Sequence, residues 1–142
     1  MKTKFRDAFM KVAETFAGLS SARRLQVGAI VVKDDRIISI GYNGMPSGWD
    51  NNCENEVVVP PRVVLLETKK EVLHAETNAI AKLAKSTDSG DGATLFVTHS
   101  PCLDCAKLVY QSGINSVFYR NVYRNDEGIK FLEKAGVKVE QI

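Results

Sequence analysis

Apolar residues recur at spacings of three and four between residues 3 and 18, at Phe5, Ala8, Phe9, Val12, Ala13 and Phe16. That rhythm predicts an amphipathic helix, with Gly18 as its stop. From Val27 to Val32 the chain switches to a continuous apolar run rich in β-branched residues. Asp34-Asp35 then supplies a turn signal, and Ile37 to Ile40 resumes the run. Two such runs about a short polar turn predict a β-hairpin. Gly41-Tyr42-Asn43-Gly44 and Pro46-Ser47-Gly48 break the pattern.

No regular element is predicted for residues 45–73, where Asn51-Asn52 and Pro60-Pro61 carry loop chemistry. Beyond it, Ala79, Ile80, Leu83 and Ala84 mark a helix over residues 75–85, approached by extended chain before His74. A polar loop follows, from Ser86 to Gly92. A short buried strand (93–98), a helix (102–112), a strand (116–119), a helix (127–135) and a last strand (137–140) complete the chain.

This alternation predicts an α/β fold of a single domain, residues 1–142, around one sheet of about five strands. The opening hairpin is necessarily antiparallel. The later strands, each joined to the next through a helix, are expected to pair in parallel, so the sheet is mixed.

Composition narrows the function classes. The longest apolar stretches fall far short of the roughly 20 residues that span a bilayer. The residues after Met1 lack a signal-peptide h-region, so the expectation is a cytoplasmic protein with no membrane role. Nineteen basic and seventeen acidic residues give a net charge of +2, with the signs interspersed. Attraction to a nucleic acid polymer needs clustered Lys and Arg, so no polymer partner is expected, whereas a small anion needs only one or two cations. The three cysteines are an odd number, and two of them stand three apart. That arrangement favours metal binding over a disulfide framework.

The candidate chemistry lies in His74-Ala75-Glu76 and Pro101-Cys102-Leu103-Asp104-Cys105. A catalytic zinc takes three protein ligands and leaves one position open. One imidazole and two thiolates, from His74, Cys102 and Cys105, supply those three. A helix beginning at Pro101, where a missing N–H costs nothing, would bring both sulfurs to one face. Glu76 is two residues from His74 and points with it only at a helix entrance, where the backbone is not yet regular. A purely structural zinc would want a fourth ligand, for which Cys53 and His99 are the candidates. A thioredoxin-like reading would leave His74 and Glu76 without a purpose.

The joint motif matches zinc nucleobase deaminases, in which the Glu is general acid and base and not a ligand. Over nearly its whole length the chain resembles the deoxycytidylate deaminases of the cytidine deaminase superfamily. Residues Ser20–Ala29, Gly41-Tyr42-Asn43-Gly44, His74–Ile80 and Thr94–Lys107 carry the likeness. The resemblance implies a three-layer α-β-α fold, one Zn²⁺ per subunit and hydrolysis of dCMP to dUMP for thymidylate synthesis. It also implies a homohexamer, activated by dCTP and inhibited by dTTP with Mg²⁺.

By the same resemblance Arg24 is a candidate for the substrate phosphate, Asn43 for a nucleotide hydrogen bond, and Tyr123 with Arg124 for further substrate contacts. Gly41, Tyr42, Asn43 and Gly44 are candidates for an effector. Each has a plainer alternative: a solvated loop cation, a turn, or ordinary packing. A second zinc is not expected, and His99 is expected in the pocket wall or in a structural role rather than as a ligand. Trp49 and Pro60-Pro61 either stiffen the 45–73 insertion or bind an effector. The rivals are a tRNA adenosine deaminase, a free cytidine deaminase (usually with Cys in place of His74), and a non-catalytic nucleotide-sensing or zinc-stabilised module.

Overall fold

The computed structural model describes residues 1–142 as α1 (Thr3–Ala17), β1 (Gly28–Lys33), β2 (Arg36–Tyr42), β3 (Glu54–Val59), β4 (Val63–Thr68), α2 (Ala75–Ala84), β5 (Thr94–His99), α3 (Leu103–Gln111), β6 (Ser116–Asn121), α4 (Glu127–Lys134) and β7 (Lys138–Gln141). The central sheet has five strands in the order β2-β1-β5-β6-β7. β1 pairs antiparallel with both β2 and β5, while β5–β6 and β6–β7 are parallel. The mixed sheet is as the sequence predicts.

Successive side chains of a strand face opposite ways, and here both faces are covered. Ile30, Val32, Phe96 and Phe118 point to one side and pack with Met10 and Ala13 of α1. Ala29, Val31, Leu95, Val97 and Val117 point to the other, against Ala75, Ala79 and Leu83 of α2, Ala106 and Val109 of α3 and Leu132 of α4. One helix on one face and three on the other make the three layers. The hairpin turn falls at Asp34 and Asp35, whose φ angles of 51° and 58° suit the tight primed turns that join twisted strands.

Two expectations need correction. Residues 45–73 are not all loop: β3 and β4 form a separate antiparallel hairpin, so there are two sheets. Its alternation is hidden because side chains on both of its faces are exposed, including Val58, Val63, Val64 and Leu65. Gly41 and Tyr42 do not break β2 but end it, and register with Ala29 and Gly28.

The topology also decides where a ligand goes. The C-terminal ends of β5 and β6, the N-terminal end of β1 and the C-terminal end of β2 all lie at one end of the sheet. Open α/β sheets bind ligands outside such strand ends, and every chain crossing there contributes a loop.

Candidate active site

Those loops and the N-termini of three helices, α2, α3 and α4, line a pocket of about 590 Å³. This volume is in the range of small-molecule sites. His74 is the N-cap of α2, with extended backbone at φ −77° and ψ 155°, and α2 begins at Ala75 as the sequence predicts. Glu76 is therefore in the first turn, and its side chain is 4% exposed. The position of α2 depends on Gly41, because a Cβ there would collide with the backbone oxygen of Ala75 and lie 2.6 Å from Ala79 N.

The second helix entrance differs from expectation. Cys102, not Pro101, is the N-cap of α3, and its Sγ accepts from the backbone N–H of Cys105 at 3.4 Å. Pro101 lies one residue outside the helix. The two sulfurs thus meet through a capping hydrogen bond, one side chain bending back over the first turn, and not as neighbours on a helix face.

His74 Nδ1 lies 3.2 Å from Cys105 Sγ and 3.7 Å from Cys102 Sγ. All three candidate ligand atoms are within 4.8 Å of one another. Tetrahedral zinc with typical Zn–N and Zn–S bonds has N···S edges of about 3.6 Å, so this donor set fits that ion in both chemistry and spacing.

The charge states favour a cation. Hydrogen bonds from the Cys105 thiol and from His74 pull Cys102 down to about 4, making it the thiolate. The Cys102 sulfur beside it and burial push Cys105 up, so the second thiol keeps its proton until a metal takes its place. The neighbouring Cys102 likewise raises His74. Burial pushes Glu76 up to about 7, into the range where a carboxylate can both accept and return a proton near neutrality.

On the side of the pocket formed by the loop after β6, Arg24 Nη1 and Arg124 Nε donate to the Tyr123 hydroxyl at 2.8 and 2.9 Å. Neither arginine is in an ion pair. Tyr123 is fixed by its backbone N–H on Ser100 Oγ at 2.9 Å and by the edge-on ring of His99. His99 lies in the pocket wall as expected, and burial lowers its pKa.

Asn43 also lines the pocket, yet its side chain is largely occupied with backbone. Oδ1 accepts from Val27 N at 2.9 Å, and Nδ2 donates to Leu25 O at 2.8 Å. Gly41, Tyr42 and Gly44 are outside the pocket wall.

Sequence reasoning missed Glu54. It lies at the first position of β3 and is 1% exposed, and it also lines the pocket. The signal available was the valine-rich pair of runs around Pro60-Pro61, which a hairpin template would have matched.

A family model for the cytidine and deoxycytidylate deaminase zinc-binding region matches residues 3–121. The chain belongs to that family. Among solved structures, dCMP deaminase from the cyanophage S-TIM5, in complex with dCMP and dUMP, is similar with a TM-score of 0.90 and 47% identity, covering 100% of this chain and 99% of that one. ComE operon protein 2 of Bacillus subtilis is 38% identical over 135 residues, 94% of this chain and 69% of that protein. Human deoxycytidylate deaminase is 40% identical over 122 residues, 80% of this chain and 62% of that protein. A likeness to tRNA:A34 deaminases, at 23% identity and a TM-score of 0.63, shows the fold alone.

Proposed function

We propose that this chain is a dCMP deaminase, converting dCMP and water to dUMP and ammonia and so supplying dUMP for thymidylate synthesis. One observation carries the reading. A single pocket is lined by His74 and Cys102 of the His/Cys/Cys metal group, by the buried non-ligand carboxylate of Glu76 and by two arginines free of ion pairs. The first two suit deamination of a ring, and the third suits a phosphate, whose oxygens match guanidinium forks.

His74, Cys102 and Cys105 would hold one zinc ion. When bound there, zinc supplies Lewis acidity that brings the pKa of a water towards about 7. The protein's own part is proton handling and placement. Glu76 takes a proton from the attacking water and gives it to the ring nitrogen beside the amine-bearing carbon. It then carries the second proton to the amine as the C–N bond breaks, and ammonia leaves. Arg24, Tyr123 and Arg124 hold the phosphate, which orients the ring towards Glu76. Asn43 fixes the loop that carries Arg24 and keeps one N–H for the nucleotide.

The same proposal includes a homo-oligomer, a hexamer by family resemblance. The exposed Val57, Val58, Val59, Val63, Val64 and Leu65 of the β3–β4 hairpin support a covered surface in the assembled protein. Activation by dCTP and inhibition by dTTP with Mg²⁺, with Gly41 to Gly44 as an effector segment, rest on the resemblance. No helix is long and apolar enough to cross a membrane. A cytoplasmic setting suits ligand thiols that must stay reduced.

The test is to incubate the zinc-loaded protein with dCMP, CMP, deoxycytidine and adenosine, with and without dCTP and Mg²⁺, and to follow ammonia release. Selective formation of dUMP is expected. Inactivity on all four substrates would overturn the reading.

A further inference from the structure

Glu54 has one carboxylate oxygen in use and one to spare. Oε2 accepts from the backbone N–H groups of Arg23 and Arg24 at 3.0 and 3.1 Å, which ties β3 to the loop before β1. Oε1 is buried and has no hydrogen bond. Its ion-pair contact is Arg23 Nε at 3.5 Å, from a side chain that is half exposed. A buried carboxylate oxygen without a donor is costly, and the structural tie made by Oε2 does not explain it. Because Glu54 forms part of the pocket wall, the missing donor can come from a ligand.

The proposed substrate limits what that donor is, and the step rests on the reading of the site given above. A deoxycytidine monophosphate has two kinds of hydrogen-bond donor, the ring amine and the 3′-hydroxyl. Its phosphate is anionic and would be repelled by Glu54. The amine belongs at Glu76 and the metal group. Glu54 is tied to the backbone of Arg24, the residue assigned to the phosphate, so it lies beside the phosphate end of the nucleotide. The sugar connects that end to the ring. We propose that Glu54 Oε1 accepts a hydrogen bond from the 3′-hydroxyl of the substrate, making Glu54 a positioning residue that requires a donor at that carbon.

The experiment compares kcat/KM of the zinc-loaded wild type on dCMP, its 3′-deoxy analogue and its 3′-fluoro analogue, which keeps an acceptor and loses the donor. Both analogues are expected to be about tenfold to a hundredfold poorer, as for loss of a hydrogen bond to a charged group. Glu54→Gln can keep an oxygen on the two backbone N–H groups while placing an NH₂ where Oε1 was. That NH₂ can donate to an acceptor at the 3′ carbon, so in the variant the preference for dCMP over the 3′-fluoro analogue is expected to fall to within about threefold.

The three wild-type measurements stand even where the variant does not fold. Equal use of dCMP and the 3′-deoxy analogue by the wild type overturns the proposal and leaves the deaminase reading intact. So does a 3′-fluoro analogue as good as dCMP in the wild type, or full discrimination against the 3′-fluoro analogue by a folded Glu54→Gln. No turnover of dCMP by the wild type overturns both.

Discussion

Arg24 and Arg124 donate to the same phenolic oxygen, that of Tyr123, at 2.8 and 2.9 Å. Two cations held this close without a carboxylate between them repel each other, and an anion relieves that repulsion. The Tyr123 hydroxyl accepts from both and still has its own proton to donate. Three donors therefore converge on the place assigned to the phosphate.

Tyr123→Phe keeps the ring and its packing on His99 while losing the hydroxyl that gathers the arginines. KM for dCMP is expected to rise roughly tenfold, about 1.4 kcal/mol, with kcat little changed. Arg24→Ala should cost more on dCMP than on deoxycytidine. Steady-state kinetics on both substrates check this, and equal losses on the two would remove Arg24 from the phosphate site.

Glu76→Gln preserves shape in a fully buried position and removes proton transfer. Zinc content and melting temperature are expected to hold, while kcat falls roughly 10²–10⁴-fold. Metal analysis beside single-turnover rates provides the check. A variant that turns over like wild type would refute the proton-shuttle role.

Metal removal should act on stability as well as activity, since the three ligand atoms come from the N-caps of two helices and the first turn of one of them. With zinc about a thousandfold above its Kd, the bound protein gains about 4 kcal/mol over the metal-free one. For a chain of this size that corresponds to a melting shift of about 10 °C. Cys102→Ala is expected to abolish the shift. Calorimetry with and without a chelator measures it, and an unchanged melting point in the wild type would count against the site.

His99 gives a pH dependence of definite sign. Burial lowers its pKa in the folded protein, so the unfolded chain binds the proton more readily. Stability then falls as pH drops through the ordinary histidine value of about 6.5 and on to the lower folded one. The advantage of wild type over His99→Gln should therefore shrink between pH 8 and pH 5. Denaturant melts of both proteins across that range test it, and a gap that widens on acidification would reverse the assignment.

Gly41→Ala would push a methyl group into the backbone of α2 at Ala75 and Ala79. Overpacking of that kind costs about 3 kcal/mol. Because His74 caps α2, the same substitution is expected to lower kcat on dCMP. Equilibrium unfolding and kinetics together decide whether both follow, and wild-type stability would show that the helix can move aside.

Most of the layered core was legible because burial and periodicity coincide there. Ile30 and Val32 alternate with Ala29 and Val31, and the helical stripe of Ala79 and Leu83 packs where its spacing predicts. The extended approach to His74 was legible too, since Glu76 cannot join it in regular helix. The β3–β4 hairpin was legible only as two valine-rich runs around Pro60-Pro61, because exposed valines on both faces leave no alternation to read. The role of Cys102 as cap was not legible, since three-residue spacing fits both a helix face and a capping bend. The meeting of Arg24 with Tyr123 depends on which strand ends share one end of the sheet, and local sequence pattern does not specify strand order.

Glu54 grips the loop through the amide N–H groups of residues 23 and 24, which every amino acid except proline possesses. At position 24 the hold is indifferent to the side chain it positions. Substitution at Arg24 is thus expected to alter the proposed anion contact while the scaffold beneath stays fixed and the loop's anchorage remains in place.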